Sequence, residues 1–368
     1  MTTYKTNIKV IISGGGTGGH IFPALAIARA IQKEIPTANI LFIGAKGKME
    51  MEKIPEAGYQ IQGLWISGIQ RQLTWENLSF PFKLISSLWH ARKIIKRFKP
   101  DVVIGVGGFA SGPTLKMASA LGIPCLIQEQ NSYPGITNKL LAKHVQKICV
   151  AYEGMEAFFP KEKISLTGNP IRKHIIDIEN KKEKSIQFFN LEAHKKTILI
   201  VGGSLGAQAI NNAVLNHINE WADLDAQLIW QTGKTGIEQA QEATKEITNI
   251  KAYTFIKEMD LAYAAADLII SRAGAIAISE ISAIGKPVIF VPLPTAAEDH
   301  QTKNASKLVD KNAAILVANK NVDKELLITT ERLINDDSVL NKMSEEIKKL
   351  GITNADDIIT KEVLKLIK

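Results

Sequence analysis

The sequence predicts an α/β protein of two doubly wound domains, each a parallel sheet with helices on both faces and a cleft between them. Three observations carry this expectation. The 368 residues exceed the roughly 100–200 residues of a single domain. Short apolar runs alternate with helical stretches from end to end, which is the rhythm of βαβ units. Finally, the pattern strand, glycine turn, helix occurs twice, as IKVIISGGGTGGH at the start and TILIVGGSLGA near the middle.

The strands follow in order. IKVIIS (8–13), NILFIG (39–44), DVVIGVGG (101–108) and PCLIQE (124–129) form the first set. TILIVGG (197–203), QLIWQTG (227–233), DLIIS (267–271) and PVIFVPLP (287–294) form the second. Each is continuous, β-branched and bounded by glycine or proline, as strands buried on both faces are. Pro100, Pro124 and Pro287 stop the preceding helix and open a strand. Helices are expected over Pro23–Ile35, Ala207–Glu220 and about 355–367. The turn signal Gly168-Asn169-Pro170 sets the boundary, giving domains 1–168 and 169–349.

Composition bounds the function. Apolar residues at 45% and charged residues at 22% exclude a disordered or fibrous chain. Two cysteines, Cys125 and Cys149, exclude a disulfide framework and fit a reducing compartment. No apolar run reaches membrane-spanning length. The opening MTTYKTNIKV enters a strand-like run without the apolar stretch of a secretory leader. With 45 basic and 37 acidic residues the net charge is +8, which suits anionic partners without choosing among them.

The first glycine turn, Gly14-Gly15-Gly16-Thr17-Gly18-Gly19, holds five glycines in six positions. Glycine lets backbone N–H groups approach an anion, and the helix that follows adds its positive end. A nucleotide-triphosphate loop would need Lys-Ser/Thr where His20-Ile21 stands. A dinucleotide fingerprint would need an acid after the second strand, which ends Ile43-Gly44-Ala45-Lys46. A diphosphate loop of another kind, or a bare tight turn, remains. Gly202-Gly203-Ser204-Leu205-Gly206 and Gly105-Val106-Gly107-Gly108 repeat the theme at other strand ends, where doubly wound sheets put their ligands.

Polar residues gather at the same ends. Glu129-Gln130-Asn131 suits a hydroxyl-rich ligand or, equally, loop capping. Arg172 could meet a phosphate bidentately or be a surface charge. In Ser271–Glu280 a strand turns into a helix whose first amides can face a phosphate. Glu280, one turn in, could accept from vicinal ribose hydroxyls or lie solvated on the helix face. His20 follows the first glycine turn, and histidine as a residue type titrates near neutrality, so it is the candidate for acid–base chemistry; a structural histidine is the alternative. Residues 71–97 mix Trp75, Leu78, Phe80, Phe82 and Trp89 with Arg71, Lys83, Arg92 and Lys93. That mixture is what contact with an anionic membrane surface requires; core packing is the alternative. Nucleic acid is not expected, because no domain signature accompanies the basic residues.

Seven motifs, GGGTGGHIFPALAIA, GVGGFASGP, EQNSYPGITNK, GNPIR, GGSLGAQAIN, SRAGAIAISE and DHQTKNA, stand in this order over nearly the whole chain. In them the sequence resembles the MurG family, bacterial N-acetylglucosaminyltransferases that form lipid II. The resemblance implies a glycosyltransferase B fold, two Rossmann-like halves facing across a cleft, with a C-terminal helix (about 350–368) returning to the first. It implies UDP-N-acetylglucosamine as donor and lipid I as acceptor. By motif position the donor site comprises Thr17, Gly18, Gly19, Asn131, Arg172, Ser204, Ile256 against the uracil, Ala275, Ile276, Ala277, Ile278, Ser279, Glu280 and Gln301. Some relatives carry two glutamines where this chain has His300-Gln301. Gly14, Gly15, Gly16, Gly107 and Gly108 are expected at the acceptor diphosphate, and His20 as the base. Donor binding without a metal or any cofactor is expected, as is a peripheral place on the cytoplasmic side of the inner membrane.

A UDP-sugar epimerase, which acts on a soluble sugar, and a non-catalytic nucleotide-sugar-binding protein are the rival readings. Neither accounts for both an apolar, basic segment and a base at position 20.

Overall fold

A computed structural model describes residues 7–68, 79–203 and 206–367. The chain divides into two compact units: Met1–Ile171 with Thr353–Lys368, and Arg172–Ile352. The passage from first to second falls just beyond the Gly168-Asn169-Pro170 turn.

The first unit is a seven-stranded sheet: β1 (Lys9–Ser13), β2 (Asn39–Ala45), β3 (Gln60–Leu64), β4 (Val102–Gly105), β5 (Cys125–Glu129), β6 (Lys147–Val150) and β7 (Ile164–Leu166). Their order is β3-β2-β1-β4-β5-β6-β7, and all the pairings are parallel. Successive side chains of β1 serve opposite faces. Val10 and Ile12 join Ile27 and Ile31 of α1 (Gly18–Glu34) in one core. Ile11 joins Ala91 and Ile95 in the other. All are buried, and each large aliphatic side chain taken out of water contributes about 1.5–3 kcal/mol. The remaining helices described in this unit are α2 (Glu50–Glu56), α3 (Phe80–Phe98), α4 (Ser111–Ala120), α5 (Ile136–Leu141) and a C-terminal helix, Ala355–Leu366. That last helix lies against α1 and adds Ile359, Val363 and Leu364 to the same core.

α1 begins at Gly18, five residues before the expected Pro23. The carbonyl of Thr17 already accepts from the N–H groups of His20 and Ile21, so the last two glycines of the turn are helical. His20 therefore sits on the first turn of α1.

The second unit holds β8 (Lys196–Val201), β9 (Ala226–Gln231), β10 (Ile250–Tyr253), β11 (Leu268–Ser271), β12 (Val288–Phe290) and β13 (Ile315–Leu316). They are ordered β10-β9-β8-β11-β12-β13, again all parallel. Trp221 and Trp230 are fully buried in its core. The expected helix over Ala207–Glu220 is two helices, Gln208–Asn216 and Ile218–Ala222, broken at His217.

Candidate active site

In the first unit the strand order reverses between β1 and β4, the switch point where open parallel sheets bind ligands. Both strands run into glycine turns and then into helices, α1 and α4. The turns are in backbone contact: a Cβ on Gly108 (φ +84°) would lie 2.3 Å from the carbonyl oxygen of Gly15. Only glycine fits there. Ser111, first in α4, donates its hydroxyl to Ser13 O at 2.7 Å and lies 2.9 Å from Gly107 O. Two helix N-termini, each with a positive end, are thereby brought to one place.

His20 Nδ1 lies 3.0 Å from Gly15 O and 3.3 Å from Thr17 Oγ1. A carbonyl oxygen can only accept, so the ring proton belongs on Nδ1. Nε2 is then the basic nitrogen. Gly14, Gly15, Gly107 and Gly108 all lie in these two turns. The N–H of Gly16, expected among the diphosphate donors, donates to Glu50 Oε2 at 2.8 Å. Glu50 was not found from sequence: KGKMEMEK reads as a solvated run, and no local pattern marks a carboxylate only 1% exposed.

At the end of β5, Glu129 is buried and fastens the following loop. It accepts from Asn131 N (3.0 Å), Asn131 Nδ2 (3.3 Å), Gly135 N (3.2 Å) and Asn138 Nδ2 (2.8 Å). Burial pushes its carboxyl above the usual range, against these donated bonds. Gln130 donates to Val106 O, while Gln128 Nε2 donates to Asn169 Oδ1 at 2.9 Å. The acid and amides of EQN thus hold the loop, and Asn131 takes its place through Glu129.

In the second unit the reversal lies between β8 and β11. β8 leads into Gly202 and Gly203; Ser204 lies outside the described residues. β11 leads through Gly274 into the helix Ala275–Ile284. The first turn, Ala275, Ile276 and Ala277, is half-exposed, whereas Ile278 is buried. Ser279 turns its hydroxyl back to Ala275 O at 2.9 Å. Glu280 is 3% exposed and faces Arg172, whose Nε and Nη2 donate to its two oxygens at 3.0 and 3.3 Å. Tyr263 OH stands 3.5 Å from Oε2. Burial raises the Glu280 carboxyl, and the Arg172 guanidinium opposes that rise. Sequence reasoning gave these two residues separate tasks; the structure joins them in a two-pronged ion pair.

Ile256 is buried, its N–H donating to Gln231 Oε1 at 2.9 Å. Gln301 Oε1 accepts from Leu293 N at 2.9 Å, and His300 Nδ1 donates to Ala297 O at 2.7 Å. The triplet Asp223-Leu224-Asp225, the spacing that holds a metal in other sugar transferases, is present. Its acids are exposed just before β9, at the sheet end away from the glycine turns. Among the described residues no cluster of three or more His, Cys, Asp or Glu could hold a metal ion.

α3 has two apolar faces. Ser87, Ala91 and Ile95 are buried. Phe82, Ile85 and Trp89 are 71, 66 and 60% exposed and recur at i, i+3 and i+7, one stripe of a helix. Lys93 lies over the Trp89 ring at 5.6 Å, and Lys83 over Trp65 at 5.9 Å. Trp65, itself exposed, was not anticipated. Phe80 is half-buried; Trp75 and Leu78 lie outside the described residues. Among the described residues no helix is long and apolar enough to cross a membrane.

Paired Rossmann-like sheets with phosphate-type turns at their switch points define the class, a glycosyltransferase of the B fold. Two family models agree, the glycosyltransferase family 28 N-terminal domain over residues 10–150 and its C-terminal domain over 197–359. A Flavobacterium psychrophilum protein is 53% identical over 359 residues, 98% of each chain. Its name is UDP-N-acetylglucosamine–N-acetylmuramyl-(pentapeptide) pyrophosphoryl-undecaprenol N-acetylglucosamine transferase. The crystal structure of Acinetobacter baumannii MurG is 29% identical with a TM-score of 0.80, covering 97% of this chain and 99% of that one. A Neisseria meningitidis UDP-GlcNAc 2-epimerase bound to UDP-GlcNAc is 18% identical with a TM-score of 0.67, covering 97% of this chain and 100% of its own; that likeness shows the fold alone. The chain belongs to the MurG family, within glycosyltransferase family 28.

Proposed function

We propose that the protein transfers N-acetylglucosamine from UDP-N-acetylglucosamine to the C4 hydroxyl of the muramoyl sugar of lipid I, giving lipid II for peptidoglycan. The observation that carries this is the 53% identity to a transferase of that name across 98% of both chains. The acceptor hydroxyl attacks the anomeric carbon from the face opposite UDP, so configuration inverts in one displacement. His20 Nε2, the basic ring nitrogen, takes the hydroxyl proton. The glycine turns after β1 and β4, with Gly15, Gly107 and Gly108, hold the acceptor diphosphate at the positive ends of α1 and α4, the N–H groups of Gly14 and Gly16 being spent on Ile43 O and Glu50. Thr17, Gly18, Gly19, Asn131, Ser204 and Gln301 complete the sugar and phosphate contacts of the donor, and Ile256 meets the uracil. The amides of Ala275–Ala277 receive the UDP phosphates and stabilise the leaving charge, while Glu280 accepts from the ribose hydroxyls.

Incubation with radiolabelled UDP-N-acetylglucosamine and a lipid I analogue should place label in the lipid fraction. Label released as free sugar, or an epimerised donor, would refute the reading.

The acceptor's lipid tail stays in the bilayer, so the enzyme works at a membrane surface on the cytoplasmic side. Phe82, Ile85 and Trp89, with Lys83 and Lys93 beside them, form the contact. Phe82→Ser with Trp89→Ser is expected to lower binding to anionic vesicles by about 10-fold or more while sparing UDP affinity, since the apolar area removed drives insertion. Co-sedimentation with vesicles measures this, and undiminished binding would reassign the stripe.

A further inference from the structure

We propose that Glu50 is a positioning residue for His20, acting through the single peptide group that joins Gly15 to Gly16. This rests on reading His20 as the base and goes beyond it. Glu50 is the first residue of α2 and is only 1% exposed. Its Oε2 accepts from Gly16 N at 2.8 Å and its Oε1 from Ala45 N at 2.9 Å. No ion pair among the described residues involves it.

The N–H of Gly16 and the C=O of Gly15 are opposite ends of one planar unit. Glu50 holds the N–H end; His20 Nδ1 lies 3.0 Å from the C=O end. The sequence of contacts is therefore carboxylate, peptide, imidazole. Because the peptide is rigid, fixing its N–H fixes where its oxygen points. Because both oxygens of the buried carboxyl group accept from backbone N–H groups, it polarises the peptide and makes that oxygen a stronger acceptor. Both effects favour a proton on Nδ1 and leave Nε2 basic, which is the task a carboxylate performs directly in a Ser-His-Asp triad.

The site is built for this contact. A Cβ on Gly15 would lie 2.2 Å from the Glu50 carboxyl carbon, so the carboxylate occupies the space where a side chain would otherwise be. Burying a carboxylate with no cation beside it is costly. A latch between β2 and the turn alone would need no charge, so the charge has another use.

The test uses the full-length protein labelled with ¹⁵N in histidine, the His20 ring signals being identified by their loss in His20→Ala. The wild type should show the Nδ1–H tautomer. Glu50→Gln should shift His20 toward a mixture of tautomers and lower kcat by about 10–100-fold, the range for orienting partners of reactive groups. The KM for UDP-N-acetylglucosamine should stay within about twofold, since a positioning role acts on the proton transfer and not on donor binding. A wild type in the Nε2–H form overturns the proposal, as does a folded Glu50→Gln protein with an unchanged tautomer. Should Glu50→Gln fail to fold, Glu50→Asp, which draws the charge back from Gly16, is read in the same way. Full turnover by His20→Ala would instead remove the base while leaving the tautomer result standing, so the two failures are distinguishable.

Discussion

Replacing His20 by alanine is expected to lower turnover by about 10²–10⁴-fold, the contribution of a positioned general base. UDP affinity should be unchanged. The reasoning starts from the ring's orientation. With Nδ1 against Gly15 O, Nε2 is the only ring nitrogen able to take a proton, and it lies beside the Gly107 turn. The alanine variant keeps both glycine turns, because the Gly108–Gly15 contact and the Ser111 hydrogen bonds do not involve the imidazole. Loss should therefore fall on kcat. Steady-state kinetics paired with UDP titration calorimetry separates the terms; normal turnover would remove His20 as the base.

Glu280→Ala should act in the opposite sense, weakening UDP binding by about 10–100-fold. That is the loss of charge-assisted hydrogen bonds to the ribose, each of about 1.5–3 kcal/mol, less what solvent returns. The ion pair complicates the outcome in a predictable way. Removing one partner of a fully buried pair costs about 3–5 kcal/mol. The Arg172 side chain, however, is 37% exposed, so its guanidinium can regain water and the stability loss should be smaller. Calorimetric titration with UDP, read beside a melting curve, tells the two effects apart. Unchanged affinity in a folded variant would refute the ribose assignment and leave Glu280 as the anchor of Arg172 and Tyr263.

The strands readable from the sequence are those buried on both faces. KVIIS, VVIG and LIIS carry no polar residue between their end positions, so their apolar runs are continuous. β3 was missed because QIQGL alternates polar and apolar residues at the sheet edge, with a half-exposed pattern. β13 was missed because it is only two residues long. The glycine turns were legible because a close backbone approach leaves a compositional mark. The start of α1 was not, since glycines that look like loop had already entered the helix. The carboxylates show the limit of local reasoning. Glu50 meets Gly16 across 34 positions, and Arg172 meets Glu280 across 108. Nothing near either acid in sequence announces its partner, so only the folded chain could reveal that Glu50 is buried or that Glu280 is paired.

The helix Ala355–Leu366 completes a core whose first strand was made some 350 residues earlier. During synthesis on the ribosome, the amino-terminal half emerges with the groove for Ile359 and Val363 still unfilled. Its apolar surface stays uncovered until the second unit, Arg172–Ile352, has been made. The core laid down first is thus closed late, by a helix that lies beyond the whole second unit in the chain.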